Sequence, residues 1–263
     1  FLQVNQSRQI ADRDSGAEVF QAVRNGNGTF TTLDNTTNTG TGIINTGSVI
    51  DPTLYDGDTY TLRAVDNANA TADGAVGVIT DGAPVSNPTY VLTIDGTTIY
   101  DSAVDALLVT PTELRDAINA AGVPGVSAYV DTSINPDRLY LSREPASTTP
   151  ITVVETLASA TLDTGDTVTG FFGSSLAGDG TISVSNTITF TSAADSYLVL
   201  DSSNNIETSG TYQTGSQISF NGIATDLTGT PNNGDSFTVS PSANQDIFTI
   251  LENLATALEG GLS

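Results

Sequence analysis

The chain has 263 residues and a formal net charge of −23, with no Cys, His, Met or Trp. Its seven basic residues are all arginines (Arg8, Arg13, Arg24, Arg63, Arg115, Arg138 and Arg143), so lysine is absent too. These absences exclude thiolate and imidazole metal sites, Ser-His-Asp and Cys-His nucleophiles, P-loops and Schiff bases, and the charge opposes nucleic acid and anionic membranes.

Short alternating apolar and polar runs, separated by Gly, Asn, Asp and Thr, predict antiparallel sheet for most of the chain. Phe1–Val4 and Arg8–Ala11 read as strands around a turn at Asn5–Ser7. Asp56-Gly57-Asp58 opens a strand at Thr59–Val65. Gly82–Pro88, rich in Pro, Ser and Asn, reads as a linker. It leads into a self-contained unit from Asn87 to Thr156 with the order β-β-α-β-β-β. Its strands are Thr89–Ile94, Thr97–Tyr100, Val126–Val130, Arg138–Ser142 and Ile151–Val154.

The helix of that unit is predicted over Thr110–Ala121. Thr110 and Glu113 form a capping box, Pro111 suits the first helical position and Gly122 suits the stop. Leu114, Ala117, Ile118 and Ala121 share one face. Thr181–Thr191 reads as a long strand, with Ile182, Val184, Ile188 and Phe190 on one side. Tyr197–Leu200, Ile218–Phe220 and Phe237–Val239 are further strands. Asn221-Gly222 marks a hairpin, and Thr230–Gly234 a turn.

A second helix is predicted over Asn244–Glu259, with Asn244 as its cap. Ile247, Leu251, Leu254 and Leu258 follow one another at spacings of four, three and four, which makes a narrow seam suited to a partner helix. The same four residues also fit ordinary core packing beneath the Phe1–Val4 hairpin, and the sequence leaves both readings open.

No motif points to catalysis. Asp163-Thr164-Gly165 matches one aspartic-protease triplet, but that chemistry needs two carboxylates sharing a proton; a hairpin turn accounts for it better. Asp12, Asp14 and Gly16 resemble the start of a calcium loop without its later bidentate Glu. Gly74, Gly77 and Gly82 lack dinucleotide-loop spacing. Glycosylation-type triplets at Asn5, Asn27, Asn35 and Asn69 arise by chance in a chain so rich in Asn and Thr. The Phe171-Phe172 pair suits a sheet core better than a glycan platform. The abundant Asp residues sit mostly in turn contexts, where Asp bonds its own backbone. No apolar run approaches the roughly 20 residues of a membrane helix. Phe1 reads as an internal residue of a longer parent.

Several stretches carry a resemblance. Residues 90–96 (YVLTIDG), 112–121 (TELRDAINAA), 126–131 (VSAYVD) and 138–142 (RLYLS) resemble the insertion motif found in outer domains of flagellins and hook-associated proteins. Residues 1–4 (FLQV), 8–11 (RQIA), 14–16 (DSG) and 19–20 (VF) resemble the hairpin that follows the N-terminal helices of hook–filament junction proteins, the hook-associated protein 3 family. Residues 26–30 (GNGTF), 38–42 (NTGTG), 57–61 (GDTYT), 218–223 (ISFNGI) and 229–239 (GTPNNGDSFTV) follow that family in the same order.

The resemblance implies a mainly β, multi-domain chain with a small α+β insertion. Residues 1–24 and 241–263 are expected to be the remnant of a base domain, 25–85 and 157–240 the main β domain, and 86–156 the insertion. It further implies an extracellular structural adaptor at the flagellar hook–filament junction, with no enzymatic turnover, cofactor or metal. Its partners would be copies of itself in a ring, the neighbouring hook-associated protein and flagellin. Ile247, Leu251, Leu254 and Leu258 would carry assembly. Family members have long terminal helices, of which only Asn244–Glu259 is represented, so this chain alone is expected to be monomeric. The alternatives are the outer region of a flagellin, which should lack the segments at 26–42 and 229–239, and a glycan-binding adhesin module.

Overall fold

The computed structural model describes residues 2–5, 8–10, 16–68, 89–102, 110–162, 167–177 and 180–260. The chain opens with β1 (Leu2–Asn5), β2 (Arg8–Ile10), α1 (Gly16–Gln21) and β3 (Val23–Arg24). Next come β4 (Phe30–Asp34), β5 (Ile43–Ile44), β6 (Ser48–Val49) and β7 (Tyr60–Asn67). The middle holds β8 (Thr89–Ile94), β9 (Thr97–Asp101), α2 (Pro111–Ala121), β10 (Val126–Asp131), β11 (Arg138–Arg143) and β12 (Thr152–Leu162). It is followed by β13 (Thr167–Thr169), β14 (Ser175–Ala177), β15 (Gly180–Thr189), β16 (Ser196–Leu200) and β17 (Ile206–Thr211). The chain closes with β18 (Gln217–Phe220), β19 (Ile223–Thr228), β20 (Ser236–Pro241), β21 (Asn244–Gln245) and α3 (Ile247–Gly260). The architecture is mainly antiparallel β, as expected.

β7 organises the largest sheet. Along one edge it pairs with β16 from Thr61 to Val65. Its other edge is divided: Tyr60–Arg63 pair with β20, and Asp66–Asn67 pair with β11. The sheet thus runs β10-β11-β7-β16-β17, with β4 beyond β20. A second sheet, β18-β19 with β5 and β6 on the far side of β19, lies against it. Between them Phe30, Tyr60, Leu62, Val199, Phe220, Ile223, Leu227, Phe237 and Val239 are buried. Each such side chain contributes about 1.5–3 kcal/mol through removal of apolar surface from water. Asn221 and Gly222 both have positive φ, as the β18–β19 hairpin requires.

The second core lies under a four-stranded sheet ordered β15-β12-β8-β9. α2 and one face of the β10–β11 hairpin cover it, placing Leu114, Ile118, Ala128, Val130, Leu139 and Leu141 against Tyr90, Leu92, Ile94, Val153 and Leu157. Phe171 and Phe172 are buried in the same cluster, so that pair packs a core and forms no surface platform. α2 has the expected ends: the Thr110 hydroxyl accepts from Glu113 N, the Glu113 carboxylate accepts from Thr110 N, and Gly122 is left-handed. Such a cap contributes about 1 kcal/mol.

The expected division at residues 156–157 falls inside β12. That strand runs on to Leu162 and pairs with β15 from Thr152↔Thr189 to Ser159↔Ile182. Likewise β10 and β11, expected within the insertion, extend the sheet built on β7. Alternation identifies a strand but carries no record of which ladder it joins.

Polar groups fasten the two units where β7 meets β11. Arg143 Nη2 donates to Asp95 Oδ2 and to Pro150 O, both at 2.8 Å. Asn233 Oδ1 accepts from Arg143 N at 2.6 Å, while its Nδ2 donates to Asp66 Oδ2 at 2.7 Å and Leu141 O at 3.0 Å. Burial pushes the Asp66 carboxyl up to about 6, and the charge of Asp195 adds to the rise. The unfolded chain releases this proton first. Between the ordinary value of 3.8 and about 6 the native state therefore binds more proton, and the Asp66 contribution to stability falls as pH rises. Thermal scans at pH 4 and pH 7 should show that Asp66→Asn loses less stability across that interval than the wild type. Equal losses would rule Asp66 out as the source.

Candidate assembly surface

Residues 16–25 and 242–260 come together in the fold. β3 and β21 pair through Arg24↔Asn244 and Val23↔Gln245. Asn25 N donates to Ala243 O at 3.0 Å, and Asn25 Oδ1 accepts from Ala243 N at 2.7 Å. Ser242 Oγ donates to Asn25 O at 2.8 Å, and Arg24 Nη1 donates to Ser242 O at 2.9 Å. This clasp sets α1 beside α3, with the Phe20 and Phe248 ring centroids 6.4 Å apart.

α3 starts later than the sequence suggests. Asn244, the expected cap, is taken up by the β3–β21 pair. The cap is Asp246, whose Oδ1 accepts from Phe248 N at 2.8 Å and whose carbonyl accepts from Ile250 N at 3.1 Å. A carboxylate at this end also suits the helix dipole.

On α3 the four predicted residues fall within an arc of about 60°, given 3.6 residues per turn. Leu251 is 56% exposed, Leu254 55% and Leu258 60%, whereas Ile247 is half-buried. The three leucines therefore do not pack a core beneath the opening hairpin. Phe248, 67% exposed, extends the apolar surface and stands outside the four-three-four spacing, because it lies about 100° around the helix from Ile247. Its neighbour Phe20 is the signal that could have found it: the two aromatics become adjacent only once the chain ends are clasped.

Elsewhere the buried carboxylates are committed to structure. Glu155 accepts from Tyr90, Phe172 and Ser174. Asp235 accepts from the backbone of Thr39, Gly40 and Asn232. Among the described residues no group of three or more Asp or Glu is placed to hold a metal ion, and no helix is long and apolar enough to cross a membrane. The triplet Asp163–Gly165, the pair Asp12 and Asp14, the glycines 74–82, the linker through Pro88 and Asn69 lie outside the described residues.

A mainly antiparallel, multi-unit chain whose ends join at a helical base is the class that these elements define. No protein-family model matches it, and no curated protein does. Among solved structures it is similar to Xanthomonas campestris FlgL, at 17% identity over 97% of this chain and 42% of that one, with a TM-score of 0.45. It is also similar to the flagellar junction protein FlgL from Legionella pneumophila, at 19% identity over 95% of this chain and 42% of that one, with a TM-score of 0.40. The flagellar hook junction protein FlgK from Burkholderia pseudomallei is similar at 16% identity over 82% of this chain and 22% of that one, with a TM-score of 0.21. The chain spans about two fifths of the length of the FlgL structures it matches.

Proposed function

We propose that this chain is part of a structural subunit of the bacterial flagellum, outside the cell at the junction of hook and filament, and that it turns over no substrate. The observation that carries this reading is the base. There the two ends of the chain are clasped together and α3 presents an exposed leucine seam. The four stretches that resemble the insertion motif, 90–96, 112–121, 126–131 and 138–142, also converge on one core, which is what a common unit requires. In this reading the base carries assembly and the β units project from it. The partners are further copies in a ring, the adjoining hook-associated protein and flagellin.

The test uses the full parent gene in a motile bacterium that lacks its own junction protein. The wild type should restore filaments and swimming, and immunogold label should fall at the filament base. Leu251→Asp/Leu254→Asp/Leu258→Asp should be exported and folded yet leave the cells bald, since each buried charge opposes helix pairing by several kcal/mol. Leu54→Asp, at an equally exposed leucine outside α3, should behave as wild type. Label along the whole filament would replace the junction reading with a filament-subunit one. A wild-type gene that never restores filaments, or a triple variant that does, would overturn it.

A further inference from the structure

The sheet built on β7 curls until its outer strands, β10 and β17, meet at one point. Ser209 of β17 donates to Asp131 of β10, and Tyr140 lies against the same hydroxyl at 2.9 Å. Beside that contact the edges part around a cleft of about 450 Å³, a size that suits a small ligand. α2 forms one wall and the turn at residues 201–205 the other, with Tyr129 and Ile206 between them.

An outer strand ordinarily invites another strand. Here α2 forestalls that. Asn119 Nδ2 donates to Ala128 O at 3.0 Å, and its Oδ1 accepts from Ala128 N at 2.9 Å, so one side chain saturates that outward backbone pair. Outward-facing residues alternate along a strand. Leu139 O, opposite Val130, bonds to Ala68 N on the far side, so Val130 must turn its own N–H and C=O toward the cleft. No described group pairs with them. One donor and one acceptor are too few to hold a peptide strand, but they suit a pair of hydroxyls.

The walls add more of the same chemistry. The Thr132 hydroxyl and the Asn204 amide line the cleft, exposed, with no hydrogen bond to any described residue. The charged groups, by contrast, are already engaged. Asp131 accepts from Ser133 and Ser209, and Arg115 donates to Asp116. What remains is a polar, uncharged set of donors and acceptors, with Tyr129 and Ile206 offering an apolar strip. We propose that this cleft binds a neutral mono- or disaccharide, its hydroxyls on Val130, Thr132 and Asn204 and its ring face on Tyr129 and Ile206. The inference stands on the cleft alone and is independent of the assembly role.

The test is titration of the isotopically labelled chain with galactose, mannose, N-acetylglucosamine, maltose and chitobiose, followed by amide NMR. At least one should give saturable shifts confined to residues around 115–119, 128–133 and 204–206, with a Kd of about 1 mM. Asn204→Gly keeps the left-handed backbone while removing the amide. Thr132→Val removes the hydroxyl without changing shape. Each should weaken binding about tenfold, since a lost polar contact is worth about 1–1.5 kcal/mol. No saturable shift with any of the five sugars, or shifts that persist in the double variant, would overturn the proposal.

Discussion

Glu155→Ala is expected to destabilise the unit around α2 by about 4 kcal/mol, which for a chain of this size lowers its Tm by about 10 °C. The Glu155 side chain is fully buried in β12 and accepts four hydrogen bonds. They come from Tyr90 OH at 2.6 Å, Phe172 N at 2.9 Å, Ser174 N at 3.2 Å and Ser174 Oγ at 2.6 Å. Burial, reinforced by the charge of Glu155, drives the Tyr90 phenol far above its ordinary value, so it remains a donor throughout the working pH range. Truncation strands all four donors away from water. Glu155→Gln keeps the volume but turns an NH₂ toward other donors, and should cost about half as much. Amide exchange at Phe172 and Ser174 should accelerate in both variants. A loss below about 1 kcal/mol for Glu155→Ala would mean that the loop at 170–174 is held by Phe171 and Phe172 instead.

Gly234→Ala should be as damaging, by about 3–5 kcal/mol, through a different cause. Gly234 has a φ of 92°, and an added Cβ would sit 1.7 Å from the Arg143 carbonyl oxygen. Neither atom can yield easily. Gly234 N is bonded to Ala64 O at 2.8 Å, and its flanking residues Asn233 and Asp235 are both buried and fully engaged. The substitution should therefore loosen the attachment of β11 to β7 rather than either core alone. Limited proteolysis should find new cleavage between residues 143 and 152 in the variant. An unchanged digestion pattern and melting profile would show that the turn accommodates a methyl group by shifting.

The parts of the fold legible in the sequence are those specified by neighbours along the chain. Thr110, Pro111, Glu113 and Gly122 place the ends of α2 to within a residue, because capping is a local affair. The alternation from Thr181 onward yields β15 for the same reason. Asn244 fails as a cap because Arg24, more than two hundred residues away, claims its backbone for a strand pair. α1 and the short strands β5 and β6 carry too few residues for a period to emerge. The leucine seam on α3 is readable from spacing, but its exposure is not, since that depends on what else packs there. Glu155 and the Val130 cleft are illegible in the same sense: their meaning lies in Tyr90, Ser174, Asn119 and Asn204, which only the folded sheets bring near.

The β10–β11 hairpin has Val130 and Leu141 in the core under α2, while Tyr129 and Tyr140 pack on its other face in a third, smaller cluster with Val65, Leu198 and Leu200. A load applied to α2 can therefore reach β7 through the sheet itself. It arrives as shear along the Leu141↔Asp66 and Tyr140↔Asn67 pairs, reinforced by the Arg143–Asp95 ion pair. Bonds loaded in shear must break together rather than one by one. The unit around α2 should then move as one rigid body with the β7 sheet instead of swinging from it.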